Sequence, residues 1–144
     1  MTSVYADTSA LVKFYYPEQG SDSVEEVLLG ADRVYISQLT IVEMASALMQ
    51  KIRTGDLTKR AETMIWTAFQ DDIDAGNVEL VQLQDRHYLK AADIIREYGK
   101  SHGIKTLDAL HLSIAHGLQS ASFLCADKAL VRIAAAMGIK LQLL

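Results

Sequence analysis

Short β-prone runs alternate with longer segments of helical spacing along the chain, and this restricts it to a parallel sheet covered by helices. Ser3–Ala6, Arg33–Ser37, Val78–Val81, Ser122–Cys125 and Lys140–Leu143 read as strands. Apolar residues recur at helical intervals in Ser21–Leu29, Leu39–Arg53, Leu57–Ala75, Asp85–Tyr98, Thr106–Leu118 and Lys128–Met137. Gly55 and Asp56 separate two consecutive helices with no strand between them, so one extra helical pair is expected. The fold class is therefore α/β, a three-layer α/β/α sandwich around a central parallel sheet of four to five short strands.

A chain of 144 residues, half of them apolar, can bury one sizeable core, and a single domain over 1–144 is expected. One proline and eight glycines, with no Ser/Gly-rich or charge-block stretch, leave no linker and no disordered arm. The only cysteine, Cys125, lies in an apolar run and reads as a small core residue, which excludes disulfide and zinc frameworks. No apolar run approaches the roughly 18 residues that span a bilayer. No leader pattern opens the chain, and a cytoplasmic protein without membrane contact is expected. The formal charge of −4 argues against a protein that coats nucleic acid, but a carboxylate site neutralised by metal stays compatible with it.

In a sheet of this kind the chemistry gathers beyond the carboxyl ends of the strands. Four acids stand there. Asp7 follows the first strand and Asp127 follows Leu124-Cys125-Ala126; each reads either as a helix N-cap or as a ligand. Asp108 lies in the first turn of an unusually apolar helix, with Thr106 as a candidate cap, so the helix dipole competes with a site role. Glu43 sits in the apolar stretch Thr40–Met49 with no Lys or Arg before Lys51, so it must be paired, protonated or bound to a cation. A salt bridge to a distant Arg is the structural alternative.

Four carboxylates brought together repel, by roughly 4 kcal/mol per pair at about 4 Å and an effective dielectric near 20. A hard cation relieves this. All-oxygen ligation selects Mg²⁺ or Mn²⁺ over zinc, and ions so held suit phosphodiester hydrolysis. The hydroxyls of Thr8, Ser9 and Thr106 are candidates to orient the carboxylates or water, or simply to cap helices. Lys13, Lys105, Lys128 and Arg132 are candidates to receive RNA phosphates, with solvated surface pairing as the alternative. His111, one turn after Asp108, reads as a substrate or water contact or as a hydrogen-bonded core residue. His87, His102 and His116 read as surface or helix-end residues, and Trp66 and Met64 as core or interface.

Asp7-Thr8-Ser9-Ala10-Leu11-Val12-Lys13, with Glu18 and Gly20 after it, resembles the opening motif of PIN domains, particularly the VapC toxins of toxin–antitoxin pairs. Thr40-Ile41-Val42-Glu43 followed by Gly55-Asp56-Leu57, Thr106-Leu107-Asp108-Ala109-Leu110-His111, and Ala126-Asp127-Lys128-Ala129-Leu130 resemble the second, third and fourth motifs, in the family's order. The resemblance implies a PIN fold and a Mg²⁺- or Mn²⁺-dependent endoribonuclease with Asp7, Glu43, Asp108 and Asp127 as catalytic metal ligands. It also implies a homodimer and a cognate VapB-like antitoxin that places a basic side chain near the acids. The family often has Thr or Ser just before the fourth acid, where this chain has Cys125-Ala126, so it departs from the pattern in that hydroxyl while keeping the carboxylate.

Two rival readings have definite marks. A haloacid-dehalogenase-type phosphatase also places an Asp after its first strand but needs a second Asp two residues on, where this chain has Ser9. A silent PIN-like module that only binds RNA or protein would be marked by loss of an acid, and all four are present.

Overall fold

The computed structural model describes residues 1–144. Its elements in chain order are β1 (Ser3–Ala6), α1 (Thr8–Tyr15), α2 (Ser21–Gly30), β2 (Arg33–Ser37), α3 (Gln38–Arg53), α4 (Lys59–Asp74), β3 (Glu79–Val81), α5 (Asp85–His102), α6 (Thr106–Gly117), β4 (Ser122–Leu124) and α7 (Lys128–Ala136). All strand pairs are parallel, in the order β3-β2-β1-β4.

Side-chain alternation along each strand builds the two faces. Val4, Ala6, Val34, Ile36 and Leu124 enter one buried cluster, which α1, α2, α3 and α4 cover through Leu11, Leu28, Met44 and Phe69. Tyr5, Phe123 and Cys125 point to the other face, where α5, α6 and α7 pack through Ile94, Leu112 and Ile133. These are the three layers that the alternation of elements implies.

Two details depart from the sequence expectation. The segment 140–143 is not a full strand: it meets β4 through one parallel bridge, Phe123 to Leu141. Phe123 N donates to the Lys140 carbonyl and Gln142 N to the Phe123 carbonyl, and the pairing stops there. The expected pair of helices around Gly55 and Asp56 is α3 and α4, with Gly55 taking a left-handed φ of 82° just past the end of α3. Thr58, not Leu57, ends the turn, because its hydroxyl accepts from Ala61 N and so caps α4.

The topology also fixes where a site can form. From β1 the chain steps outward to β2 and β3, then crosses back to lay β4 on the other side of β1. The order reverses between β1 and β4, and a crevice opens at the carboxyl ends there.

Candidate active site

Asp7 stands at this reversal. Its backbone N–H donates to the Leu124 carbonyl of β4, and its Oδ1 accepts from Ala10 N at 3.0 Å, capping α1. The side chain is only 4% exposed. Ser9 Oγ donates to both carboxyl oxygens at 2.8 and 2.9 Å, and the Cys125 thiol donates to Oδ2 at 3.0 Å. Burial raises the Asp7 pKa, and the donors from Cys125, Ala10 and Ser9 offset it only in part. The same burial, with the Asp7 charge beside it, drives the Cys125 thiol far above its ordinary value, so it stays an S–H donor.

Glu43 comes in from α3. Its Oε1 accepts from Thr8 Oγ1 at 2.9 Å and meets His111 Nε2 at 2.5 Å. Burial pushes the Glu43 pKa up, but the hydrogen bond and polarity of His111 and the Thr8 hydroxyl outweigh it and hold the carboxyl below its ordinary value. Thr8 in turn lies 3.0 Å from the Thr40 hydroxyl. The partner of this apolar-helix acid is thus an imidazole 68 positions away, not an arginine.

Asp108 occupies the first turn of α6, half-buried, and its carboxyl makes no hydrogen bond within the protein. Burial raises its pKa, as do the charges of Asp127, Asp7 and Glu43, with His111 acting the other way. Four acids from the β1–α1 junction, α3, α6 and the β4–α7 junction therefore share one electrostatic field at Asp108. Asp127 is exposed and caps α7, its Oδ1 accepting from Ala129 N and Leu130 N at 2.9 and 3.3 Å. Thr106 does not cap α6: Lys105 holds the N-cap position with no side-chain bond, and the Thr106 hydroxyl is exposed. The cap expectation failed because α6 begins one residue earlier than a Thr106 cap requires.

A groove of about 970 Å³ runs away from these acids, with Thr8, Ser9, Glu43 and Asp127 at one end. Lys13, Glu18, Gln50, Lys51, Thr54 and Lys105 also line it. Glu18 lies between two ammonium groups, 3.3 Å from Lys13 Nζ and 3.5 Å from Lys51 Nζ, and Lys51 also sits 4.0 Å over the Tyr16 ring. Lys51 escaped the sequence reading, which sought cations closer to each acid; it stands eight residues after Glu43 on α3, a spacing that brings both to the groove face of the helix. Lys128 and Arg132 are exposed on α7 and stand outside the groove wall.

The histidines divide. His111 is 1% exposed and bonded at both ring nitrogens, the core alternative, yet its partner is a site carboxylate. His87 is at a helix end as expected but is 3% exposed, not on the surface, because its Nδ1 accepts from Gln84 N in the capping box of α5. Trp66 packs edge-on against Phe69, while Met64, expected in core or interface, is 66% exposed.

The donors suit a hard divalent ion in kind and charge. Glu43 Oε2, Asp127 Oδ2 and both oxygens of Asp108 have no protein partner, and burial together with the charges of Asp127, Asp7 and Glu43 raises the proton affinity of Asp108. They are not drawn into a closed coordination set: no three His, Cys, Asp or Glu side chains take that arrangement. Both oxygens of Asp7 are engaged by Ala10, Ser9 and Cys125.

The comparisons with known proteins follow the same lines. A family model described as the PIN domain matches residues 4–136. Among solved structures, FitAcB from Neisseria gonorrhoeae aligns with a TM-score of 0.67 at 19% identity, over 92% of this chain and 93% of that one. PAE2754 from Pyrobaculum aerophilum aligns with a TM-score of 0.62 at 16% identity, over 92% and 79%. A toxin–antitoxin complex from Klebsiella pneumoniae aligns with a TM-score of 0.59 at 12% identity, over 86% of each chain. No curated protein sequence matches. At these identities the solved structures speak for the fold.

Proposed function

Because the chain belongs to the PIN-domain family, we propose that it is a Mg²⁺- or Mn²⁺-dependent endoribonuclease of the VapC type, working as a single domain. One observation supports the reading: the four acids lie around the carboxyl ends of the strands where their order reverses, and at Asp108 burial first, then the charges of Asp127, Asp7 and Glu43, raises the pKa against His111. Such a cluster is unfavourable without a cation and useful with one.

In this reading Asp7, Glu43, Asp108 and Asp127 hold the metal, which when bound supplies an activated water and a counter-charge for the leaving oxygen. Ser9 fixes the Asp7 carboxyl through both oxygens, and Thr8 fixes Glu43 through Oε1. Lys13 and Lys105 in the groove wall, with Lys51 added, receive RNA phosphates, and Thr106, Lys128 and Arg132 serve the exposed approach beyond it. The groove carries two of the four acids, Glu43 and Asp127, beside the cations Lys13, Lys51 and Lys105.

The proposal includes a separate VapB-like antitoxin that sets a basic side chain against the acids; in its support, the fold is shared with a chain solved as a toxin–antitoxin complex. A homodimer and a cytoplasmic location complete the proposal; no helix is long and apolar enough to cross a membrane. The phosphatase alternative loses its support to the family match and to Ser9.

The test is cleavage of total cellular RNA by the purified protein with Mg²⁺ or Mn²⁺, against EDTA and an Asp7→Asn control. Discrete fragments absent from both controls support the nuclease. A folded, antitoxin-free protein that cleaves nothing at any metal concentration supports the silent binding module instead.

A further inference from the structure

Glu43 is held from behind by groups that the nuclease reading leaves without a task. His111 Nε2 meets its Oε1 at 2.5 Å, and His111 Nδ1 lies 2.7 Å from the Tyr5 hydroxyl. Tyr5 is fully buried, tilted against the His111 ring and stacked on Phe123. A buried phenol must place its proton: the Ser37 hydroxyl acts on the Tyr5 oxygen as a donor, which leaves Nδ1 as the acceptor for the phenol proton. Nδ1 is then an acceptor, so a neutral ring carries its proton on Nε2 and directs it at Glu43. With Thr8 also on Oε1, one oxygen of Glu43 is clamped twice and Oε2 is left free where Glu43 lines the groove.

We infer that Tyr5 and His111 are a positioning pair, which fixes the Glu43 carboxylate by delivering Nε2–H to Oε1 and so presents Oε2 for a divalent ion. The inference rests on the metal-dependent reading above and adds two residues to it, neither of which touches substrate. Partners that orient ligating carboxylates are commonly worth 10- to 100-fold in metal affinity. The three side chains come from β1, α3 and α6, so the pair also ties both helical layers to the sheet edge at the site.

Two measurements on the full chain test it. The first is Mn²⁺ binding, read from the free-ion paramagnetic resonance signal, for wild type, His111→Leu, His111→Gln and Tyr5→Phe, each checked for folding by thermal unfolding in EDTA. His111→Leu is expected to weaken Mn²⁺ binding by about 10- to 100-fold. Glutamine, whose amide can still donate, is expected to recover most of that loss, and Tyr5→Phe to cost less than His111→Leu. Wild-type affinity in folded His111→Leu, or equal loss in both His111 variants, overturns the pair as a donor device.

The second measurement is the ¹⁵N spectrum of the His111 ring at neutral pH, which stands whether or not metal binds and whether or not His111→Leu folds. An Nε2–H ring that loses its tautomer preference in Tyr5→Phe supports the pair. A proton on Nδ1, alone or with Nε2, overturns it. Wild type that neither binds Mn²⁺ nor cleaves RNA overturns the nuclease reading, and the ring spectrum then decides separately whether His111 orients Glu43.

Discussion

Replacing Asp108 by asparagine changes charge and little else, since the carboxyl makes no hydrogen bond within the protein. Its pKa is raised by burial and by Asp127, Asp7 and Glu43, against His111. Two like charges 4 Å apart repel by about 1 kcal/mol in bulk water and about 4 kcal/mol at an effective dielectric of 20. Asp108 is half in solvent and the acids stand short of a closed ligand set, so each neighbour contributes at or below the lower figure. Three such neighbours set a ceiling of about 3 kcal/mol; the opposing attraction of His111 and the roughly 0.3–1 kcal/mol that an acid supplies in the first turn of a helix come off it, leaving a gain on the order of 1 kcal/mol for the variant. That corresponds to a Tm rise of about 2–4 °C for a chain near this size.

The sign with pH follows from the direction of the shift. A carboxyl whose folded pKa is raised penalises the fold in full above that value, and the penalty shrinks as the folded protein takes up a proton. The advantage of Asp108→Asn in EDTA is therefore present at neutral pH, closes as pH falls through the raised value, and is gone below the ordinary aspartate value of 3.8. Excess Mg²⁺ or Mn²⁺ inverts the order: at a hundred times Kd, wild type gains about 2.7 kcal/mol and the variant less. Thermal unfolding from pH 3 to 8, with and without metal, reads all of this. A variant less stable than wild type at neutral pH in EDTA refutes the electrostatic reasoning and makes Asp108 a structural acid of α6.

Thr8→Val keeps the shape and removes the hydroxyl that bonds Glu43 and Thr40, so it is expected to cost about 1–3 kcal/mol in urea unfolding; a neutral result would mean Glu43 is held by His111 alone. The Cys125 thiol, buried and kept protonated beside Asp7, is expected to react with a thiol reagent only after unfolding, and prompt reaction in the native protein would contradict its placement. Lys51→Ala is expected to weaken RNA binding and to reduce its log–log salt slope by about 0.7, with a smaller effect from Lys128→Ala outside the groove; equal effects would remove the groove as the RNA path. Glu43, whose pKa is held down, contributes stability above its ordinary value of 4.5 that is lost as pH falls through the folded value, and Glu43→Gln should flatten that limb of the acid-unfolding curve.

Local periodicity made most of the fold legible. Val4, Tyr5 and Ala6 alternate between two cores, and the apolar spacing of α3 and α6 survives in their buried faces. The segment 140–143 has the same β-prone composition as β4 yet pairs at Leu141 alone, because strand extent depends on the neighbour's length, and β4 itself is three residues long. The partners of Glu43 and Asp7 were beyond local pattern for the same kind of reason. His111 and Cys125 lie 68 and 118 positions from the carboxyls they meet, and only the crossover that sets β4 beside β1 brings them there.

At Asp7 and Asp127 the sequence left helix cap or ligand open; the structure shows the cap, and the topology makes it compatible with the proposed ligand role. Each does cap its helix, Asp7 through Ala10 N and Asp127 through Ala129 N and Leu130 N. Each also follows one of two adjacent parallel strands at the point where their order reverses. An N-cap carboxyl is fixed by backbone donors at the positive end of a helix, which lowers the cost of keeping it charged near other acids. Capping is therefore the device that holds these two carboxylates at the sheet edge, and the free Oδ2 of Asp127 is what capping leaves over for a ligand. Asp108 has no such anchor, and its pKa is raised by burial first and then by the charges of Asp127, Asp7 and Glu43, against His111.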